Sequence, residues 1–221
     1  MTGSVTEDST EDGTASSDDS EARPEVARGR RPATTRRDVA RAALELFARQ
    51  GYDHTSIDEI AAAVGVSRRT FFRYYDSKPE VVWGEFDAEL ARLRTRLEAA
   101  PRDQPLIDVL RRAVMDTNRF GPRELEELRI RIVLTSTVPT LVAHSAVRYA
   151  EWCDVVAGFV AGRIGGSPDD LAPQTVARAA LGVATAAFVH WSRGDRGDLV
   201  DEVDQAFRLL ATGFDEERLP R

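Results

Sequence analysis

The chain has 221 residues, a formal net charge of −7 and one cysteine, Cys153. A single cysteine excludes an intramolecular disulfide and a zinc finger, and no apolar run of 18 residues offers a membrane span. The start has neither a basic cluster nor an apolar centre, so it shows no signal-peptide pattern and a cytoplasmic protein is expected.

Charge is unevenly distributed. Residues 1–27 carry a net −7, residues 28–78 a net +5 and residues 79–221 a net −5. The positive segment is therefore local, as attraction to a phosphate backbone requires. Residues 1–32 are rich in Ser, Thr, Asp, Glu and Gly and hold too little apolar surface to offset ordering entropy, so a disordered acidic tail is expected. Arg28, Arg30 and Arg31, with Arg36 and Arg37, form a basic stretch that reads either as an arm for the DNA backbone or minor groove, or as a solvated linker.

The spacing of Val39, Ala42, Ala43, Leu46 and Phe47 predicts a first helix from about Thr35 to the stop at Gly51. Ser56, with Glu59 three residues on, forms the capping box of a second helix carrying Ile57, Ile60, Ala61 and Val64. Gly65 turns the chain, Val66 is the buried residue of that turn, and Ser67 caps a third helix.

At 100° per residue the third helix places Phe71 and Tyr75 on a packing face and Arg69, Thr70 and Arg73 roughly opposite. Arg68, Phe72 and Tyr74 fall on the flanks. An arginine fork can pair with O6 and N7 of guanine, so Arg69 and Arg73, with Arg68 beside them, are the candidates for DNA base readout. The alternative is a solvated basic face on an ordinary amphipathic helix.

A fourth helix is expected from about Ser77 to Ala99, bearing Val81, Val82, Trp83, Phe86, Leu90, Leu93 and Leu97. Further helices follow at about 105–119, 123–136, 139–163, 172–193 and 199–214, separated by proline and glycine. The small, apolar run Val176–Phe188 and the last helix, with Leu199, Val203, Phe207, Leu210 and Phe214, form the candidate dimer interface. Cys153 reads as a small buried hydrophobe rather than a redox sensor.

Ser56-Ile57-Asp58-Glu59-Ile60-Ala61, Gly65-Val66-Ser67, Thr70-Phe71-Phe72-Arg73-Tyr74-Tyr75 and Ser77-Lys78 together resemble the N-terminal signature of TetR/AcrR-type transcriptional regulators. The resemblance covers about Arg36 to Trp83. It implies an all-α protein with a three-helix DNA-binding domain at 33–80 and a helical effector-binding and dimerisation domain at 81–217. By the same resemblance, Ser56, Thr70, Tyr74 and Lys78 touch DNA phosphates, and the protein is a homodimer on a palindromic operator. Arg69 stands where the family often has a small residue and Phe72 where it often has tyrosine, so the operator is not transferable. Arg69 to Tyr75, Ser77-Lys78 and Trp83-Gly84-Glu85-Phe86-Asp87 are similar to an actinobacterial subgroup that includes regulators of mycofactocin biosynthesis, which implies a long-chain acyl-CoA effector.

Trp83, Phe86, Met115, Phe120, Trp152, Phe159 and Trp191 are candidate pocket residues, with Arg119, Arg148, His144 or His190 to meet a polar end. Each has a plain core reading beside the pocket one. No cofactor or metal is expected, because His54, His144 and His190 lack ligand spacing and Gly162-Arg163-Ile164-Gly165-Gly166 lacks the preceding strand and spacing of a phosphate loop. An enzyme is therefore not expected. The competing function is a helical carrier of acyl ligands without specific DNA binding.

Overall fold

The computed structural model describes residues 34–194 and 197–213. The acidic tail, Arg28, Arg30, Arg31 and Phe214 lie outside the described residues. Among the described residues the chain forms ten helices and no strand. They are α1 (Arg36–Gln50), α2 (Ile57–Ala63), α3 (Arg68–Tyr74), α4 (Lys78–Trp83), α5 (Phe86–Glu98), α6 (Leu106–Thr117), α7 (Pro122–Thr137), α8 (Pro139–Ile164), α9 (Leu171–Arg193) and α10 (Leu199–Ala211).

The first four helices begin on side-chain caps, at Ser56 and Ser67 as the sequence indicates and also at Thr35 and Ser77. Thr35 and Ser56 each accept from the backbone three residues on and receive the reciprocal carboxylate of Asp38 or Glu59. Ser67 accepts from Thr70 N, and Ser77 from Glu80 N. Each cap satisfies an N–H that helix geometry otherwise strands. Gly65 sits at φ 69°, a left-handed turn that a side chain would oppose.

The single fourth helix expected over Ser77–Ala99 is two helices. Gly84 adopts φ 49° and ψ −104°, which ends α4, and α5 restarts at Phe86 in a new direction. A Cβ at Gly84 would lie 3.3 Å from Arg131 Nη2, so the break is also a close approach to α7. The apolar periodicity runs across the break because both halves face buried surface.

Two apolar cores result. The smaller joins Val39, Ala43, Leu44 and Phe47 of α1 to Ile60, Phe71, Tyr75, Val81 and Val82, and is closed by Leu134 of α7 and Leu141 of α8. The larger draws on α5 to α10, from Leu93 and Leu97 to Val203 and Phe207. Cys153 lies within it, 2% exposed, and burial pushes its thiol up from the ordinary value. It is the small hydrophobe that the sequence suggests.

Three of the α10 residues expected at the dimer surface face inward, while Leu210 is half-buried. Leu199, Val203 and Phe207 are at most 1% exposed, because they close the chain's own core against α6 and α9. The alanines at 177, 180, 184 and 187 of α9 are likewise buried. Between its exposed ends, α9 turns Thr175, Arg178, Gly182, Ala186 and His190 outward. No single helix among the described residues is long and apolar enough to cross a membrane.

Candidate functional site

The third helix is fixed from inside. Phe71 and Tyr75 are 0% and 2% exposed, their rings 6.1 Å apart, and the Tyr75 hydroxyl donates to Arg36 O at 3.0 Å. Burial pushes the Tyr75 phenol up despite that bond. The opposite side is open: Arg69 and Arg73 are exposed, while Thr70 is half-buried. The structure thus divides the helix into the two faces that the periodicity indicates.

The exposed arginines differ in commitment. Arg69 has no hydrogen-bond or ion-pair partner among the described residues. Arg73 lies 5.2 Å over the Tyr74 ring and donates to its hydroxyl at 3.4 Å. Arg68 pairs with Asp58 at 3.0 Å and lies over the Phe72 ring. That pair is exposed on both sides, so giving it up costs at most about 1 kcal/mol. Phe72 is 42% exposed, an apolar ring at the edge of the basic face.

The four residues expected on phosphates are placed less uniformly. Ser56 Oγ is spent in its capping box, and Thr70 Oγ1 lies 3.0 Å from Ser67 Oγ. The Tyr74 hydroxyl donates to Thr34 O at 2.7 Å, tying the entry to α1 against α3. Lys78 Nζ turns inward, donating to Tyr52 O at 2.8 Å and Thr55 O at 3.0 Å, and sits 4.1 Å from the Tyr52 ring centroid. Desolvation lowers its ammonium from the ordinary value. It staples the loop between α1 and α2 to the start of α4, with one N–H uncommitted.

Arg36 and Arg37 also find partners within the chain. The Arg36 guanidinium lies over Tyr75, 4.5 Å from the ring centroid, and Arg37 pairs with Glu124 of α7 at 2.6 Å. Hydrogen bonds from Gly121 N–H and Arg37 hold the Glu124 carboxyl below its usual range.

The seven aromatic and methionine candidates do not converge on one cavity. Trp83 packs against Phe86 and Tyr149 at the base of α5. Trp191 donates Nε1–H to Gly197 O and carries Arg129 over its ring at 4.2 Å. Phe120 borders a small hollow beside Gly84, whereas Phe159 lines a cavity of about 480 Å³ between α5 and α8. Met115 and Trp152 pack against the larger core. A second hollow of about 420 Å³ lies between α7, α8 and α9, lined by Ile132, Tyr149, Arg178, Leu181 and Phe188.

Three arginines that sequence reading left unassigned or placed elsewhere prove structural. Arg129 donates to the carbonyls of Trp191, Ser192 and Gly194 at 2.7–3.0 Å, capping the end of α9. Arg163 does the same for Pro101, Arg102 and Gln104. Arg148, a candidate for a ligand's polar end, instead spans Glu80 of α4, Asp87 of α5 and Glu151 of its own helix. Glu80 also meets His144 Nε2 at 3.1 Å. Arg119 pairs with Asp116 and His190 with Glu202.

A capped pair of short helices that offers arginines from its second member, set on a larger helical body, defines the helix-turn-helix class of transcriptional regulators. Within that class the chain belongs to the TetR family. Residues 33–82 match the family of bacterial regulatory proteins, tetR family, and residues 104–215 match the MftR C-terminal domain. The protein named "Putative mycofactocin biosynthesis transcriptional regulator MftR" of Mycobacterium tuberculosis is 41% identical over 187 residues, 85% of this chain and 94% of that one. The HTH-type transcriptional regulator TcmR of Streptomyces glaucescens is 34% identical, covering 65% of this chain and 66% of its own. Among solved structures, the TetR-family repressor FadR of Thermus thermophilus, in complex with lauroyl-CoA, is 25% identical with a TM-score of 0.55, over 85% of this chain and 96% of that one. These families and relatives are regulators of transcription, not enzymes.

Proposed function

We propose that the protein is a homodimeric repressor that reads a palindromic operator with α3 and is released by a hydrophobic acyl-CoA. One observation carries the DNA reading: Arg69 and Arg73 stand outward on a helix whose other face is locked by Phe71 and Tyr75. A helix held by its buried face presents these arginines to base edges with its backbone already ordered, so only their side-chain rotamers are fixed at binding. Arg68 joins them once Asp58 is exchanged for DNA. Ser56, Thr70 and Tyr74 contact phosphates at the flanks once the Ser56 and Tyr74 hydroxyls exchange their internal acceptors for phosphate oxygens, and Lys78 acts chiefly by positioning the loop that Ser56 starts from.

The effector reading is supported by the likeness to the FadR of Thermus thermophilus, which was solved with lauroyl-CoA. Dimerisation uses the outward strip of α9, since the apolar stripe of α10 is consumed internally. Two-fold symmetry then places two reading helices on successive major-groove faces. An acyl-CoA that favours a different spacing of the two heads lowers operator affinity by that difference. Such a protein works in the cytoplasm, without a cofactor.

Binding to the gene's own upstream DNA, against a scrambled duplex at physiological salt, tests the reading. The Arg69→Ala, Arg73→Ala variant should lose selective binding by roughly 1,000-fold or more, because the dimer presents two such forks on each protomer at about 1–3 kcal/mol apiece. Equal weak binding of both proteins to every duplex would refute operator recognition by α3 and favour a carrier of acyl ligands.

A further inference from the structure

Helix α8 contains two interior glycines, Gly158 and Gly162, four residues apart on one face. Glycine in a helix interior is destabilising relative to alanine, so its presence there needs a reason. Neither has a positive φ. A Cβ at either position would meet nothing within 4 Å, so packing inside the chain does not demand glycine either. Both border the cavity of about 480 Å³ between α5 and α8, a volume within the range of small-molecule sites. Glycine at these positions leaves the α8 backbone open to close approach by another group.

The rim describes that group. Arg94 and Arg102 line the cavity and have no side-chain partner among the described residues. Arg163 fixes the loop that carries Arg102 through three backbone carbonyls, which leaves its charge unneutralised by any acid. The Phe159 ring lies 5.7 Å from the Arg163 guanidinium, an aromatic wall beside the glycines. Glu98 and Asp154 also line the cavity and can accept from amino or hydroxyl groups, and Leu97, Ala100 and Val155 supply its apolar part. Guanidinium groups for phosphate, an aromatic wall for a flat ring and carboxylates for its donors match a nucleoside phosphate more closely than they match a plain hydrocarbon.

We propose that this cavity binds the nucleotide end of the effector, with Arg94 and Arg102 on its phosphates and the base laid along Gly158 and Gly162 beside Phe159. The proposal rests on the acyl-CoA reading above and adds a site to it.

Titration calorimetry with lauroyl-CoA, coenzyme A and laurate on the full-length protein tests it, with operator release read in parallel. Arg94→Gln, Arg102→Gln should weaken coenzyme A and lauroyl-CoA at least tenfold and leave laurate unchanged. Gly158→Ala, Gly162→Ala should weaken both coenzyme A ligands while raising Tm by about 4 °C, because alanine improves the helix as it fills the cavity. Opposite signs in the two readouts separate loss of a site from loss of fold. Wild-type affinity in both variants would overturn the site and leave the effector reading standing. Coenzyme A binding that depends on the arginines, with no release of operator by lauroyl-CoA, would keep the site and remove the effector reading. A changed dimer mass in the glycine variant with unchanged ligand affinity would assign this face to a second copy and overturn the proposal.

Discussion

Lys78→Met separates a structural role for the chain's one lysine from a DNA-contacting role. Methionine keeps the length of the stem and removes the ammonium that donates to Tyr52 O and Thr55 O and rests on the Tyr52 ring. Two charge-assisted hydrogen bonds are worth about 1.5 kcal/mol each at their lower end. The cation–π contact adds about 0.5 kcal/mol. Desolvation of the ammonium, visible in its lowered pKa, and the ordering of its stem together take back about 1.5 kcal/mol. The variant should therefore lose about 2 kcal/mol, which lowers Tm by roughly 4–8 °C for a domain of this size. Calorimetric unfolding measures that loss. The salt dependence of operator binding measures the other role: each phosphate contact contributes about 0.9 to the slope of log K against log salt, so removing one from each protomer would lower it by about 2. A slope within about 0.5 of wild type is expected. An unchanged Tm with a slope lowered by about 2 would refute the assignment of Lys78 as an internal staple.

Gly84→Ala should destabilise the protein by about 2 kcal/mol, in contrast to the alanines at 158 and 162, because φ 49° opposes any side chain and its Cβ would press on Arg131 Nη2; a Tm at or above wild type would remove the strain argument. Asp204 supplies a test at low pH. Burial pushes its carboxyl up, but hydrogen bonds from Arg208 and Arg111 and their charges outweigh that and hold it below its ordinary value. A depressed folded value gives stability that is present above the unfolded pKa, about 3.9, and is lost as pH falls through the folded one. Asp204→Asn should thus cost about 1–2 kcal/mol at pH 7, and the gap between its unfolding curve and that of wild type should close as pH falls from about 3.9 through the folded value. A constant gap between the two proteins across that range would show that the carboxylate charge contributes nothing.

The reading head was legible because its signals are local. A capping box at Ser56 and Glu59, a turn glycine at position 65 and two aromatics four residues apart each act within one or two turns of chain, and each is present in the fold where the spacing put it. The break at Gly84 was not legible for the opposite reason. Val81, Val82 and Trp83 on one side and Leu90, Leu93 and Leu97 on the other all face buried surface, so apolar periodicity continues through a change of direction. Only the backbone angle distinguishes the hinge from an interior helical glycine. The pocket was only partly legible, on similar grounds: Phe159 lines the cavity between α5 and α8, and most of the other candidates do not. Periodicity identifies side chains that face inward, and Trp83, Met115 and Trp191 do, but whether inward space is filled or hollow depends on neighbours from other helices. The more informative sequence mark was the pair of glycines in α8. They lower helix stability without serving a turn or a tight contact, and a feature that weakens its own element without local compensation points to a use outside the fold of the isolated chain.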